Sequence, residues 1–235
     1  MRPVAVLRFS RSEGPGRLGD WLTGHGVAWR LVTLDQGEPV PSRAGDLAGI
    51  GMMGGPMSAN DPTPWQGPLA ALLREAVGAR VPVIGHCLGG QILARALGGV
   101  VGRARTTEIG WLDVEATDAA AAREWVGGRD RFTVFQWHYE RYSLPPGAKR
   151  VLTNRWNDEQ GYVLDDIHVG FQCHVEMTRE LVTAWCDMAP DELPARSTEP
   201  RQSREDIVRD LDGRVAALNA LADGVYERWA RGLAR

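Results

Sequence analysis

The chain has 235 residues, of which 43% are hydrophobic and 24% are charged, proportions typical of soluble globular proteins. Its net charge of −3 gives no reason to expect nucleic acid or an anionic membrane as a partner, and no apolar run approaches the roughly 18 residues of a transmembrane helix. The cysteines Cys87, Cys173 and Cys186 are an odd number without close spacing. This argues against a disulfide framework or a thiolate zinc site and predicts a cytoplasmic protein.

The first half of the chain alternates apolar runs, glycine-rich turns and helical patterns. Strands are predicted at residues 4–9, 27–34, 47–53 and 81–84, and helices at residues 18–23, 69–77 and 88–97. This order predicts a parallel sheet with helices on both faces. Ligands of such sheets bind beyond the carboxyl ends of the strands, where Cys87 and the loop at residues 54–58 are expected.

Cys87 stands between a predicted strand and a predicted helix. Gly85 and Gly89 lie two residues before it and two after it, the spacing of a nucleophile elbow. The glycines permit a sharp turn, and the positive end of the helix dipole favours a thiolate at this position. A small buried cysteine at a strand end is the alternative, but the strand-turn-helix context favours a nucleophile.

A second candidate element is Gly54-Gly55-Pro56, at the end of the third predicted strand. Such a turn can present a backbone N–H which, with the N–H of Leu88, would supply two donors for an oxyanion. Taken alone, the same residues are equally compatible with an ordinary turn. The polar, proline-rich residues 59–65 are predicted to form a lid or entrance nearby.

Beyond Gly98 the pattern changes to strands without long helices between them. Strands are predicted at residues 99–103, 109–116, 131–137 and 149–153, with one or two more within residues 163–173 and a short helix at residues 119–126. These segments predict an antiparallel or mixed flank. The expected fold is therefore an α/β three-layer sandwich, with a mostly parallel central sheet, helices on both faces and a small antiparallel flank.

The C-terminal part reads as a helix at residues 181–188, an irregular linker at 189–202 and an amphipathic region that begins at Ser203. That region is either one long helix or two shorter ones. We expect it to cover the core, with a contact between protomers as the alternative. The predicted organisation is a domain at residues 1–190, followed by a linker and helical extension at residues 191–235.

His174 and Glu176 are two residues apart in a segment predicted to be extended, so their side chains should share one face. A carboxylate beside a histidine can fix its tautomer and stabilise its charged form. A polar strand face is the alternative interpretation. The combination with Cys87 favours a Cys-His-Glu triad.

Three motifs in this order resemble those of the class I (triad-type) glutamine amidotransferases. Residues 54–58 look like their oxyanion strand, residues 85–91 resemble their Gly-x-Cys-x-Gly-x-Gln motif, and residues 170–176 resemble Gly-x-Gln-Phe-His-Pro-Glu. Residues 108–111, 135–138 and 144–147 look like small stand-alone members similar to the glutaminase domain of GMP synthetase. The resemblance runs from about residue 4 to residue 188 and implies a flavodoxin-like fold. Val175 replaces the usual proline, and Tyr139-Glu140 replaces Gly-Asp, which leaves substrate selectivity open.

The resemblance implies that Cys87 attacks the side-chain carboxamide of glutamine, with His174 as base and then acid and Glu176 orienting it. Gly55 and Leu88 would hold the oxyanion. The implied substrate pocket is lined by Gln91, Gln136, Trp137 and His138.

No cofactor and no metal are implied. The expected partner is a small-molecule substrate; the enzyme would either deliver ammonia to a separate synthetase subunit or work alone, and a homodimer is left open. A hydrolase or transferase of γ-glutamyl peptides or amides, or a non-catalytic binding protein on this fold, are the alternatives.

Overall fold

The computed structural model describes residues 2–117 and 120–233, and these residues form a single large sheet with helices on both faces. The strands are β1 (Val4–Arg8), β2 (Trp29–Thr33), β3 (Gly49–Met52), β4 (Val83–His86), β5 (Val101–Ala116), β6 (Arg131–Tyr142), β7 (Lys149–Thr153), β8 (Gly161–Leu164) and β9 (His168–Phe171). The α-helices are α1 (Gly16–Gly24), α2 (Gln66–Gly78), α3 (Leu88–Ala96), α4 (Ala120–Trp125), α5 (Arg179–Met188), α6 (Arg204–Val208) and α7 (Leu211–Ala230). Residue 119, where the sequence predicts the start of the short helix, lies outside the described residues.

One half of the sheet is parallel and follows the order β2-β1-β3-β4-β9. The inner strands β1, β3, β4 and β9 are buried almost throughout because both faces of the sheet are covered there, whereas the edge strand β2 carries the exposed Arg30. In β1, Val4 and Val6 pack into the core that contains residues of α1, α5 and α7. Ala5 and Leu7 point to the other face and join the core that contains residues of α2 and α3. The predicted three-layer α/β architecture is confirmed.

The other half of the sheet is antiparallel and continues from β9 through β8, β7 and β5 to β6. The predicted flank is thus part of the same sheet, joined to the parallel half through β9. The prediction of two separate strands at residues 99–103 and 109–116 is wrong, because residues 101–103 and 109–116 lie in the single strand β5. A shift in the pairing with β6 between Arg103 and Glu108 interrupts the alternation that a sequence pattern would show.

The C-terminal region folds as two helices. The Ser203 hydroxyl caps α6 by accepting a hydrogen bond from the backbone N–H of Asp206. Asp210, in the left-handed backbone conformation with φ of 51°, then separates α6 from α7. Val225 and Trp229 of α7 are buried in the same core as α1, so the region covers the sheet. A domain boundary at residue 190 stays a prediction.

Along the described residues, no helix combines the length and the apolar character needed to cross a membrane.

Candidate active site

Four loops meet at one edge of the parallel half of the sheet. They follow the carboxyl ends of β1, β3, β4 and β9, which are consecutive neighbours in the sheet. The loops carry Glu13, Gly55, Cys87 and His174, respectively. The sheet topology therefore brings these residues together at the edge where α/β folds bind ligands.

Cys87 occupies a strained turn between β4 and α3. Its φ and ψ angles are 47° and −107°, an unusual conformation for a residue with a side chain and one that clusters at functional sites. The turn depends on close backbone contacts. A Cβ atom on Gly85 would lie 2.5 Å from the carbonyl carbon of Gly89, and one on Gly89 would lie 2.6 Å from the carbonyl oxygen of Met52. These glycines hold Cys87 at the N-terminus of α3.

The His174 and Glu176 side chains contact each other directly, with 2.6 Å between Nδ1 of the histidine and Oε1 of the carboxylate. Both residues are only 1% exposed. The prediction of an extended segment here is wrong, because β9 ends at Phe171 and the chain then bends. His174 is held instead by two backbone hydrogen bonds with Phe135 of β6, of 2.8 and 3.4 Å.

The charges around His174 favour its protonated form. Burial disfavours a charged imidazole, but the Glu176 carboxylate and the Cys87 thiolate outweigh it and hold the pKa of His174 well above its usual value. Burial likewise disfavours the Glu176 carboxylate, but the positive charge of His174 outweighs it and lowers the pKa of Glu176. The arrangement favours a charged imidazolium of His174 beside the Glu176 carboxylate.

Gly55 and Leu88, the predicted oxyanion donors, are immediate neighbours. A Cβ atom on Gly55 would lie 2.6 Å from Cδ2 of Leu88. Among the described residues, no backbone oxygen accepts a hydrogen bond from either backbone N–H. Leu88 is the first residue of α3, where backbone N–H groups have no partner within the helix. The position agrees with the predicted role, which itself stays a prediction.

A cavity of about 380 Å³ opens in front of Cys87. It is lined by residues from several elements, namely Ser12, Glu13, Gly55, Pro56, Met57, Ser58, Cys87, Gln91, Arg103, Trp137, His138, Tyr139, Glu140, His174, Trp185, Met188, Ala189 and Glu192. Three of the four side chains predicted to form the pocket are therefore in place: Gln91, Trp137 and His138. Residues 59–65, the predicted lid, contribute nothing to this lining.

Gln136 is the exception, and its predicted place in the pocket is wrong. Its amide nitrogen donates to Oε1 of Gln160 at 2.8 Å, and Gln160 in turn donates to both oxygens of the Glu108 carboxylate. Oε2 of Glu108 lies 3.0 Å from Nε2 of His138. Gln136 thus belongs to a buried polar network behind the cavity, and this network holds His138 in its wall.

Gln91 is fixed by its own hydrogen bonds. Its amide nitrogen donates to the backbone oxygen of Glu140 at 3.1 Å and to Oε1 of Gln172 at 3.2 Å. The amide nitrogen of Gln172 lies 3.7 Å from the sulfur of Cys87 and donates to it. The two glutamines therefore connect Cys87 to the wall formed by β6.

Sequence reasoning missed part of the cavity wall. The linker residue Glu192 accepts hydrogen bonds through Oε2 from Nε1 of Trp137, at 2.6 Å, and from the Tyr139 hydroxyl. Trp185 of α5 packs edge-on against the His174 ring, with 4.8 Å between centroids. No local pattern marks Glu192. Glu13, by contrast, follows an apolar strand at the edge where ligands bind, and this signal was available in the sequence.

Within residues 2–117 and 120–233, no group of three or more histidine, cysteine, aspartate or glutamate side chains could hold a metal ion.

The sequence of the chain also matches a known family. The family model for class I glutamine amidotransferases covers residues 25–182. This chain belongs to the class I glutamine amidotransferase family. The resemblance seen in the motifs is thereby confirmed at the level of the family.

Sequence relatives include the glutamine amidotransferase-like protein YfeJ of Salmonella typhimurium, 30% identical over 176 residues that cover 72% of this chain and 73% of that protein. The glutamine-hydrolysing GMP synthase of Aeropyrum pernix is 34% identical over 195 residues, which cover 80% of this chain but 36% of that enzyme. The chain thus matches about a third of the length of this GMP synthase.

Solved structures support the same family. The glutamine amidotransferase of Methylobacillus flagellatus superimposes with a TM-score of 0.97 at 47% identity, covering 100% of this chain and 96% of that one. A glutamine amidotransferase from Thermotoga maritima gives a TM-score of 0.84 at 28% identity, covering 98% and 99% of the two chains. The first comparison includes α6 and α7, which lie outside the matched family model.

Proposed function

We propose that this protein hydrolyses the side-chain amide of glutamine through a γ-glutamyl thioester on Cys87, releasing glutamate and ammonia. The observation that carries the proposal is the cavity in which Cys87 and His174 face the same space, with Glu176 at 2.6 Å from the histidine. The family assignment supports glutamine as the substrate, since several relatives are glutamine-hydrolysing GMP synthases.

In the first half of the reaction, the Cys87 thiolate attacks the carboxamide carbon of glutamine. The negative charge that develops on the oxygen is stabilised by the N–H groups of Gly55 and Leu88, each worth about 3 kcal/mol in related chemistry. The imidazolium of His174 gives its proton to the leaving nitrogen, the C–N bond breaks, and ammonia departs from the γ-glutamyl thioester.

In the second half, His174 is neutral and takes a proton from a water molecule as that water attacks the thioester. The tetrahedral intermediate uses the same two N–H donors and then collapses, expelling the Cys87 thiolate and releasing glutamate. The ion pair between thiolate and imidazolium is restored. Glu176 stabilises the charged imidazole at both steps.

We further propose that the ammonia is passed to a separate synthetase partner. A relative from Saccharolobus solfataricus supports this idea, because it is one subunit of a glutamine-hydrolysing GMP synthase; it is 32% identical over 104 residues that cover 44% of this chain and 53% of that protein. Cleavage of γ-glutamyl peptides is the alternative, because the cavity wall contains Tyr139 and Glu140 where the family motif has Gly-Asp.

The test is glutamate release from glutamine and from γ-glutamyl peptides, measured by mass spectrometry for the wild type, Cys87→Ala and Cys186→Ala. Cys186 is a buried thiol of α5 outside the cavity lining, so its variant controls for loss of a cysteine. Release from glutamine that is lost only in Cys87→Ala is expected. Release from γ-glutamyl peptides alone would replace the substrate, and release unaffected by Cys87→Ala would refute the proposed nucleophile.

A further inference from the structure

Glu13 is a buried acidic residue of the cavity that the proposed mechanism does not use. It is 9% exposed and lines the cavity together with Cys87 and His174. Its loop is fixed relative to the histidine. The backbone N–H of Glu13 donates to the oxygen of Ser10, and the backbone oxygen of Ser12 accepts from Nε1 of Trp185, whose ring packs on His174.

The carboxyl group of Glu13 lies beside Gly54, at the start of the loop at residues 54–58, and near the His174 ring. A Cβ atom on Gly54 would lie 2.8 Å from Oε2 of Glu13 and 3.0 Å from Cε1 of His174. Both groups therefore pack around the same glycine, which directly precedes Gly55. Cε1 is the ring carbon between the two nitrogens, so Gly54 separates the carboxyl group from the edge of the imidazole that carries both of them.

The Glu13 carboxyl group is neutral near pH 7. Burial is the main influence on it and raises its pKa to about 8, against the opposing effect of the His174 charge and with a smaller contribution from Glu176. Among the described residues, no hydrogen bond contributes to this shift. A neutral carboxyl group offers one O–H donor and one carbonyl acceptor, and both are available to a ligand in the cavity.

We propose that Glu13 contacts the leaving nitrogen of the substrate and makes the site selective for an unsubstituted amide. This inference rests on the proposed function. The substrate oxygen points toward the N–H groups of Gly55 and Leu88, and the leaving nitrogen must face His174 to receive its proton. Glu13 lines the same cavity as Gly55 and His174 and packs against Gly54 between them, so its carbonyl oxygen is placed to accept a hydrogen bond from the amide N–H.

The consequence is a choice between substrates. The –NH₂ group of glutamine presents a hydrogen to the Glu13 carbonyl oxygen, whereas an N-alkyl group in the same place would put carbon against a buried polar group. A site that hydrogen-bonds one substrate group discriminates strongly against analogues that leave its own polar atoms unpaired. Glu13 holds its proton throughout, so the proton inventory of the hydrolysis is unchanged.

The test compares kcat/KM for glutamine and for γ-glutamyl methylamide in the wild type, Glu13→Ala and Glu13→Gln. Loss of one neutral hydrogen bond should lower kcat/KM for glutamine about three- to tenfold in Glu13→Ala. The value for the methylamide should stay level or rise, because the alanine leaves room for the methyl group. Glu13→Gln keeps a carbonyl acceptor, so its preference should lie closer to that of the wild type.

The outcomes separate this inference from the proposed function. Equal losses for both substrates in Glu13→Ala would show a merely structural role and overturn the inference, while Cys87-dependent hydrolysis of glutamine would still stand. A wild type that hydrolyses neither compound overturns both. Thermal unfolding of the two variants establishes that they are folded under the assay conditions.

Discussion

Replacing Glu176 by glutamine tests the central electrostatic argument. The substitution keeps the shape of the side chain and an oxygen that can accept from Nδ1 of His174, but it removes the negative charge. Burial then opposes the imidazolium without the carboxylate to offset it. We expect the pKa of His174 to fall and the resting ion pair with Cys87 to be depopulated.

The magnitude follows from the contact itself. The two side chains are 2.6 Å apart and each residue is 1% exposed, so water screens their interaction little. A hydrogen bond to a charged group contributes about 1.5–3 kcal/mol. Since each factor of ten in rate corresponds to about 1.4 kcal/mol, kcat/KM for glutamine should fall about 10- to 100-fold.

The assay is glutamate release by Glu176→Gln beside Glu115→Gln, a matched change at an exposed position of β5 that lies outside the cavity lining. A nitrogen-15 NMR titration of His174, carried out in a Cys87→Ala background with and without Glu176→Gln, measures the pKa change directly. The reasoning is refuted if kcat/KM stays within about twofold of the wild type, or if His174 titrates at the same pH in both backgrounds.

Three further predictions concern stability. Gly89→Ala places a Cβ atom 2.6 Å from the backbone oxygen of Met52 and should cost about 1–3 kcal/mol in urea unfolding. Gly224→Ala, with open space around its Cβ in α7, should be neutral or stabilising, and equal effects would contradict the packing argument. The Glu13 carboxyl holds its proton up to pH of about 8 in the folded protein but only to about 4.5 in the unfolded chain. Between these two pH values, the free energy of unfolding of the wild type should therefore fall, relative to that of Glu13→Gln, by up to about 1.4 kcal/mol per pH unit. Parallel pH profiles of the two proteins would exclude the raised pKa. Trp229→Ala should destabilise the protein by about 3–5 kcal/mol in a single unfolding transition, because the ring is 1% exposed in the core shared with α1. A separate early unfolding transition would instead support a domain boundary at residue 190.

The parallel half of the fold and the turn that holds Cys87 could be predicted because most of their signals are local. The inner parallel strands are short and mostly apolar, since helices cover both faces of the sheet there. Gly85 is required by a contact within the turn itself and Gly89 by a contact with Met52 of the neighbouring strand, and their spacing marks Cys87 in the sequence. His174 and Glu176 are only two residues apart, so their contact forms even though the backbone bends there and no strand is present.

Other features depend on residues that are distant in the chain. The orientation of Gln136 away from the cavity is set by Gln160, and the contact of Glu192 with Trp137 joins the linker to β6. Neither partner can be identified from spacing, because a hydrogen bond between separate elements leaves no periodic pattern. The sequence alone thus determined the class of fold, and it predicted the roles of Cys87, His174 and Glu176. Only the tertiary structure decided which side chains surround them, and it alone made Glu13 an uncharged acid, because burial by neighbouring elements sets the pKa of a carboxyl group.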